Sequence, residues 1–289
     1  MSIVSGPAIS AAFGAAIILF CTLVEQFAVI ERYPLLSRVS GIAMNMAQFV
    51  LTPLFAWPMQ WAFGAIGVAP AITIPLWTWL SPYGVAGCAL EAIIILAVSD
   101  FLIYCRHRAE HKWFWPIHAV HHAPTELHAA NDIGHPAQVW PHLFFVSLPL
   151  SLVQYDHPVT PAMVGFIVML LSYLIHSPID VHFGPLRKLL VDNRFHRIHH
   201  SIEPRHFDRN FGICFSVWDR LFGTAYDPAP DEWPKVGISD VPAPRDLSDY
   251  LLMPVQILKA RSRNRIEPES EMVEGRAACL SCTSSSQQS

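Results

Sequence analysis

Asp100-Phe-Leu-Ile-Tyr-Cys-Arg-His107-Arg-Ala-Glu-His111-Lys-Trp-Phe-Trp-Pro-Ile-His118-Ala-Val-His121-His122 begins inside an apolar run, Val85 to Tyr104, and sets the reading of the whole chain. Within each cluster the histidines stand three or four residues apart, so on a helix their ring nitrogens project from one face. A third cluster, His196-Arg-Ile-His199-His200, repeats the His-x-x-His-His pattern further on. With 15 histidines in 289 residues, chance would give one such pattern at a rate of roughly 0.04 per chain and two at roughly 0.001. Crowded imidazoles are costly unless an ion shares them, so the chain reads first as a metalloprotein.

Working outward, 52% of residues are hydrophobic and 15% charged, and the mean hydropathy is +0.34, a composition that points to a membrane protein. Apolar stretches run from about Pro7 to Val24, Ile42 to Val68, Val85 to Tyr104, Val139 to Val153 and Val159 to Ile175. Several approach the roughly 20 residues a helix needs to cross the hydrocarbon, and four to five transmembrane helices are expected. Pro53 and Pro58 leave the second stretch open between one kinked span and a re-entrant pair. A net charge of −4 without a basic, aromatic-interleaved stripe excludes nucleic acid as a partner. The six cysteines are scattered, which argues against a disulfide framework; Cys279-Leu-Ser-Cys282 has zinc or redox spacing but stands alone in a Ser-rich tail. No charged segment precedes the first apolar run, so that run is expected to remain as a span.

The loop Glu31 to Arg38, and Arg106, Arg108 and Lys112 after the third stretch, place both on the cytoplasmic side by the positive-inside rule. Val139 to Ile175 reads as a hairpin of two apolar helices turning at Gln154-Tyr-Asp-His-Pro158. That return brings the third cluster to the face of the first two. Residues from about Phe183 to Pro242 then form a soluble helical cap over the site, and the fold class is all-α. Residues 1–261 are expected to be one membrane domain, with a catalytic region at about 100–224, and 262–289 a disordered polar tail.

Eight histidines exceed what one tetrahedral zinc uses, so two metals fit better. Imidazole suits iron, zinc, copper or nickel. Zinc could only hydrolyse, whereas two irons beside a membrane can reduce dioxygen and attack an unactivated C–H bond of a lipid.

From Asp100 through Trp218-Asp-Arg-Leu-Phe-Gly-Thr224 the chain resembles the fatty acid hydroxylase and sterol desaturase superfamily of integral-membrane di-iron oxygenases. The resemblance rests on Asp-x-x-x-Tyr, His-Arg-x-x-His, His-x-x-His-His-Ala-Pro, Arg-Phe-His-Arg-x-His-His, and Asn210-Phe-Gly before Trp218-Asp219. It implies two iron ions on the cytoplasmic side of a bacterial inner membrane or endoplasmic reticulum. They would be held by His107, His111, His118, His121, His122, His196, His199 and His200, with His176 as a further ligand. Where fatty acyl 2-hydroxylases carry another histidine, one turn before His176, this chain has Ser172. Water or His135, in Gly134-His135-Pro136, would complete the shell.

Metal-bound imidazoles normally donate their second N–H to an acid or carbonyl. Asp100, two turns before His107, is the leading acid for this role or else an interfacial acid; Asp132, Asp180, Asp208 and Asn210 are further candidates, and Asp219 reads as an ion pair with Arg220. Glu91, inside an apolar run, reads as a buried hydrogen bond or a substrate contact. His128, His142, His157, His182 and His206 read as hydrogen-bonded residues, and Trp113, Phe114 and Trp115 as an interfacial aromatic belt.

These readings converge on a lipid hydroxylase, with desaturation as the alternative. With no flavin or nicotinamide fingerprint, electrons would come from a separate small cytochrome or ferredoxin and its reductase. A zinc-dependent membrane hydrolase is the remote alternative, and His107-Arg-Ala-Glu-His111 lacks the glutamate directly after the first histidine that zinc proteases use.

Overall fold

The computed structural model describes residues 5–27, 30–157, 159–179, 181, 183–239 and 241–260. Asp180, His182, the Cys279-Leu-Ser-Cys282 pair and the 262–289 tail lie outside them. The described residues are largely helical: α1 (Ser5–Val24), α2 (Leu35–Ala65), α3 (Leu76–Leu80), α4 (Gly84–Trp113) and α5 (Trp115–His122). They are followed by α6 (139–151), α7 (Val159–Ile175), α8 (Asn193–His199), α9 (Val217–Leu221) and α10 (247–260).

Two runs are long and apolar enough to cross a membrane, Leu35–Ala65 and Leu76–Trp113; Ala12–Val24 and Thr160–Ile175 are shorter apolar helices. α2 continues through Pro53 and Pro58 as one unbroken helix, long and apolar enough for a single crossing, rather than breaking into a re-entrant pair of helices. α4 does not stop where its apolar run stops. It continues through His107 and His111, so the helix that reads as a span also delivers the first histidine pair beyond it. Large apolar side chains such as Leu54, Trp57, Trp61, Ile93 and Phe144 face outward, as lipid contact would require.

The all-α expectation needs one correction. Ile72–Ile74 (β1) and Val153–Tyr155 (β2) form a short parallel pair, with Ile72 opposite Val153 and Ile74 opposite Tyr155. Gln154 and Tyr155, read from sequence as turn residues, therefore lie in a strand. Asp156 follows and accepts from the Trp77 and Thr78 amides and the Thr78 hydroxyl at 2.7–2.9 Å, which caps α3. α6 thus runs from the histidine end of α4 to its opposite end. A π turn at Leu143–Ser147 interrupts it.

The segment over the site is less helical than expected: α8 and α9 are its only α-helices among the described residues of 183–239, joined by loops and 3-10 turns. Asp192 caps α8 by accepting from the Phe195 amide. α10 closes over α5, burying Tyr250, Met253 and Ile257 against Ala119, Val120 and Ala123. Loop 124–138 is fixed beneath α2, where Asn45 donates to Ala130 and Gln48 accepts from Gly134. A buried Arg38–Glu25 ion pair, whose carboxylate also accepts from the Ala129 amide, ties the same loop to α1. At Gly41 a Cβ would stand 2.4 Å from the Ala130 carbonyl oxygen, so the close approach of α2 to this loop requires glycine.

Candidate metal centre

Helical spacing places the histidines. His107 and His111 share a face of α4, His118, His121 and His122 come from α5, His176 ends α7, and His196, His199 and His200 come from α8 and its C-cap. The nine converge in two groups: His107, His111, His118, His122 and His199; and His121, His176, His196 and His200. Within each group the nearest ring nitrogens lie within 4.8 Å of one another. The His122 and His200 rings stack across the divide at 4.5 Å.

Tautomers decide what these contacts mean. His107 Nδ1 lies 2.8 Å from the Phe211 carbonyl, His199 Nδ1 2.8 Å from that of Arg209, His121 Nδ1 3.1 Å from that of Ile133, and His176 Nδ1 2.6 Å from that of Ser172. A carbonyl only accepts, so each Nδ1 carries the proton and each Nε2 of a neutral ring presents a lone pair. His121 and His176 then point two lone pairs at each other across 3.3 Å, and buried His199 Nε2 has no partner. Lone pairs facing across such a gap repel unless a cation lies between them.

The spacing fits one. Nitrogens about 2.0–2.1 Å from a shared ion stand about 2.9 Å apart at a right angle and about 3.3 Å apart at the tetrahedral angle. The Nε2 separations are 3.1 Å for His107–His118 and His118–His122, 3.2 Å for His111–His122, and 3.1–3.3 Å from His176 to His121, His196 and His200. Burial, reinforced by neighbouring imidazoles, holds His118, His122, His196, His199 and His200 well below the ordinary histidine range. Burial and then His176 push His121 down to about 4. The rings are thus neutral at pH 7, the form that binds metal.

The supporting acids differ from those the sequence favoured. Asp100 touches no imidazole: its buried carboxylate accepts from the Cys214 and Phe215 amides and Trp218 Nε1 at 2.9–3.0 Å, anchoring the cap to α4. Asp208 bonds His111 Nδ1 at 3.1 Å, and Asp132 lies 3.6 Å from His121 and 3.7 Å from His176. Ser172, in place of a further histidine, donates to Asp132 at 2.8 Å. Glu110, which the sequence reading did not single out for this role, lies 3.2 Å from His118 Nδ1 and is fully buried. Its signal was available: three residues after His107, it shares that residue's face of α4. Glu110→Gln is expected to weaken metal retention about 10- to 100-fold, measured by competition with a chelator.

His135 lies outside both groups. Its Nδ1 accepts from the Ala137 amide, and its own amide donates to Gln138, whose side chain reaches His118 at 2.8 Å. His128, His142, His157 and His206 bond Ser37, Arg106, Thr160, and Ser201 and Glu232. Glu91 accepts from Thr160 on α7, a hydrogen bond between helices. Asp219 does not pair with Arg220, which binds Asp227; it accepts from the Phe211 and Gly212 amides and so steadies the carbonyl that holds His107. Asn210, at φ 58, joins the Phe195 and Tyr226 backbones and touches no histidine of either group.

A cavity of about 340 Å³ meets both groups, at His107 and His118 on one side and His121 and His176 on the other, while Phe49, Val168 and Met169 give it apolar walls.

Residues 92–224 match the family described as "Fatty acid hydroxylase". The chain is similar to the ornithine lipid hydroxylase OlsE of Rhizobium tropici, 29% identical over 154 residues, 52% of this chain and 46% of that protein. It is also similar to alkylglycerol monooxygenase of Caenorhabditis elegans, 27% identical over 172 residues, 56% of this chain and 30% of that protein. A very-long-chain aldehyde decarbonylase of Oryza sativa subsp. indica is 27% identical over 201 residues, 64% of this chain and 29% of that protein. The chain therefore spans less than half the length of these relatives. No solved structure matches.

Proposed function

We propose, on the premise that this chain belongs to the fatty acid hydroxylase superfamily, that it is a membrane-embedded di-iron oxygenase inserting one oxygen atom into a C–H bond of a lipid. The observation that carries the reading is the pairing of neutral imidazoles around two positions, with the His121 and His176 lone pairs aimed at one another. His107, His111, His118, His122 and His199 would hold one ion, and His121, His176, His196 and His200 the other. Iron bound there would supply the reduction of dioxygen that a saturated carbon demands, one oxygen atom entering the product and the other leaving as water.

The remaining work falls to the chain. Phe211, Arg209, Ile133 and Ser172 fix the rings through their carbonyls and Asp208 through its carboxylate, Gln138 meets His118 Nδ1 with Glu110 within ion-pair distance beside it, and the apolar walls of the cavity exclude water from the reacting carbon. Hydroxylation is favoured over desaturation by the relatives, a lipid hydroxylase and an alkylglycerol monooxygenase among them.

We read residues 1–261 as one membrane unit crossing five times, through α1, α2, α4, α6 with β2, and α7, and 100–224 as its metal-binding region. α6 alone, at about 20 Å, is short for a crossing, but the extended β2 residues add about 10 Å. The alternating direction of these elements supports placing all nine histidines on one face, the cytoplasmic one by the charge of its loops. Electrons would arrive there from a small cytochrome or ferredoxin with its reductase.

Anaerobically purified protein is expected to contain about two irons per chain and, with a reductant and O2, to add one oxygen to membrane lipid, read by mass spectrometry. One zinc per chain with O2-independent hydrolysis would overturn the proposal.

A further inference from the structure

The cavity beneath the histidines does not end at their apolar wall. Ile103, His142, Gly165 and Val168 also line a second chamber of about 560 Å³, which extends between α4, α6 and α7 as far as Gln154 and Tyr155 of β2. Each volume falls within the range of small-molecule sites. The chamber's walls, including Ile95, Val146, Leu150 and Val164, are largely apolar. From His142 to Leu150 the shared α6 wall spans about 12 Å.

Two features mark the junction. Arg106, among the described residues the one cationic Lys or Arg side chain lining the histidine cavity, donates to His142 Nδ1 at 3.3 Å, and its Nε is buried without a hydrogen-bond partner. Glu110 stands 3.6 Å from that Nε, beyond hydrogen-bond reach. The guanidinium therefore keeps donors for an oxygen that enters the cavity. On the opposite wall, Gly165 lines both compartments, and a Cβ placed there would meet nothing within 4 Å. Gly165 is itself exposed, so a large side chain placed there has room to turn into the shared passage.

We infer that the two compartments are one groove for a single-chain amphiphile, its carboxylate or carbonyl oxygen on Arg106 and its alkyl tail laid past Gly165 and Val168 toward the β1–β2 pair. This deepens the oxygenase reading and, as to which carbon reacts, rests on it. Because Arg106 precedes His107 and both line the same cavity, the carbons beside the head group lie under the histidines while the methyl end points away. The β1–β2 pair then limits tail length.

The test is binding rather than turnover. Full-length protein in nanodiscs would be challenged with a fluorescent fatty acid, displaced by a homologous series of saturated fatty acids and by the matching primary alcohols, with iron content measured in parallel. Gly165→Phe is expected to weaken the longest acids about tenfold or more and to leave the shortest nearly unchanged. Arg106→Met is expected to weaken acids about tenfold while changing alcohols little, which separates head-group recognition from tail burial. If Gly165→Phe fails to insert, Val168→Trp carries the same comparison. Equal binding of all lengths by these variants, or equal loss of acids and alcohols in Arg106→Met, would overturn the groove. Protein without iron that keeps the length ranking would preserve the groove while sinking the oxygenase reading; iron-loaded protein with no ranking would do the reverse.

Discussion

Replacing His176 with Ala is expected to leave about one iron per chain in place of the proposed two, and to cut oxygen-dependent turnover by more than about a hundredfold. His176 Nε2 lies 3.1–3.3 Å from the nitrogens of His121, His196 and His200, so it is the common member of its group. Loss of even an outer partner of a metal ligand typically costs 10- to 100-fold in affinity or activity, and a central ligand costs more. The other five-histidine group shares no residue with it and should keep its ion. Iron quantification beside thermal unfolding distinguishes this outcome from general misfolding. A variant with both irons and full turnover would remove His176 from the site.

Asp100→Ala carries the largest expected cost to stability, about 3 to 5 kcal/mol, because three donors lose one fully buried acceptor together. The Cys214 amide is buried and the Phe215 amide and Trp218 Nε1 are half-buried, and all three converge on the one carboxylate. The loop they anchor continues back to Phe211, whose carbonyl orients His107, so metal retention should fall along with thermal stability. Asp100→Asn keeps one acceptor oxygen and should lose less. Unfolding of detergent-solubilised protein with and without added iron measures both effects, and an unchanged Asp100→Ala midpoint would contradict the anchoring role.

The histidine spacings carried most of the centre, since three- and four-residue intervals have only one geometric meaning on a helix. His176 came from resemblance alone; a lone histidine ending an apolar run has no periodic partner to reveal it. Asp100 was legible as a buried acid but not as to its partners, because the amides it binds lie more than a hundred residues away and backbone donors leave no trace in side-chain identity. His135, one of two candidates with water to complete the shell, lies outside both groups and its ring closes a local turn, a use no sequence pattern distinguishes from metal binding. The β1–β2 pair was hidden because Ile72–Ile74 and Val153–Tyr155 are three residues each, too few for their alternation to stand out as strands. α2 reads as one helix despite two prolines, where composition alone allowed a break.

The π turn in α6 has a consequence for how the groove can change. One surplus residue in a helical turn shifts everything beyond it by about 100° around the axis. His142, Val146 and Leu150 recur every four residues through the turn at Leu143–Ser147, so one helix offers His142 to Arg106 above and Val146 and Leu150 to the tail chamber below. Losing or gaining a single codon there would re-phase the lower half without disturbing the upper, giving this lineage a route to new tail preferences that leaves the ligands where they are.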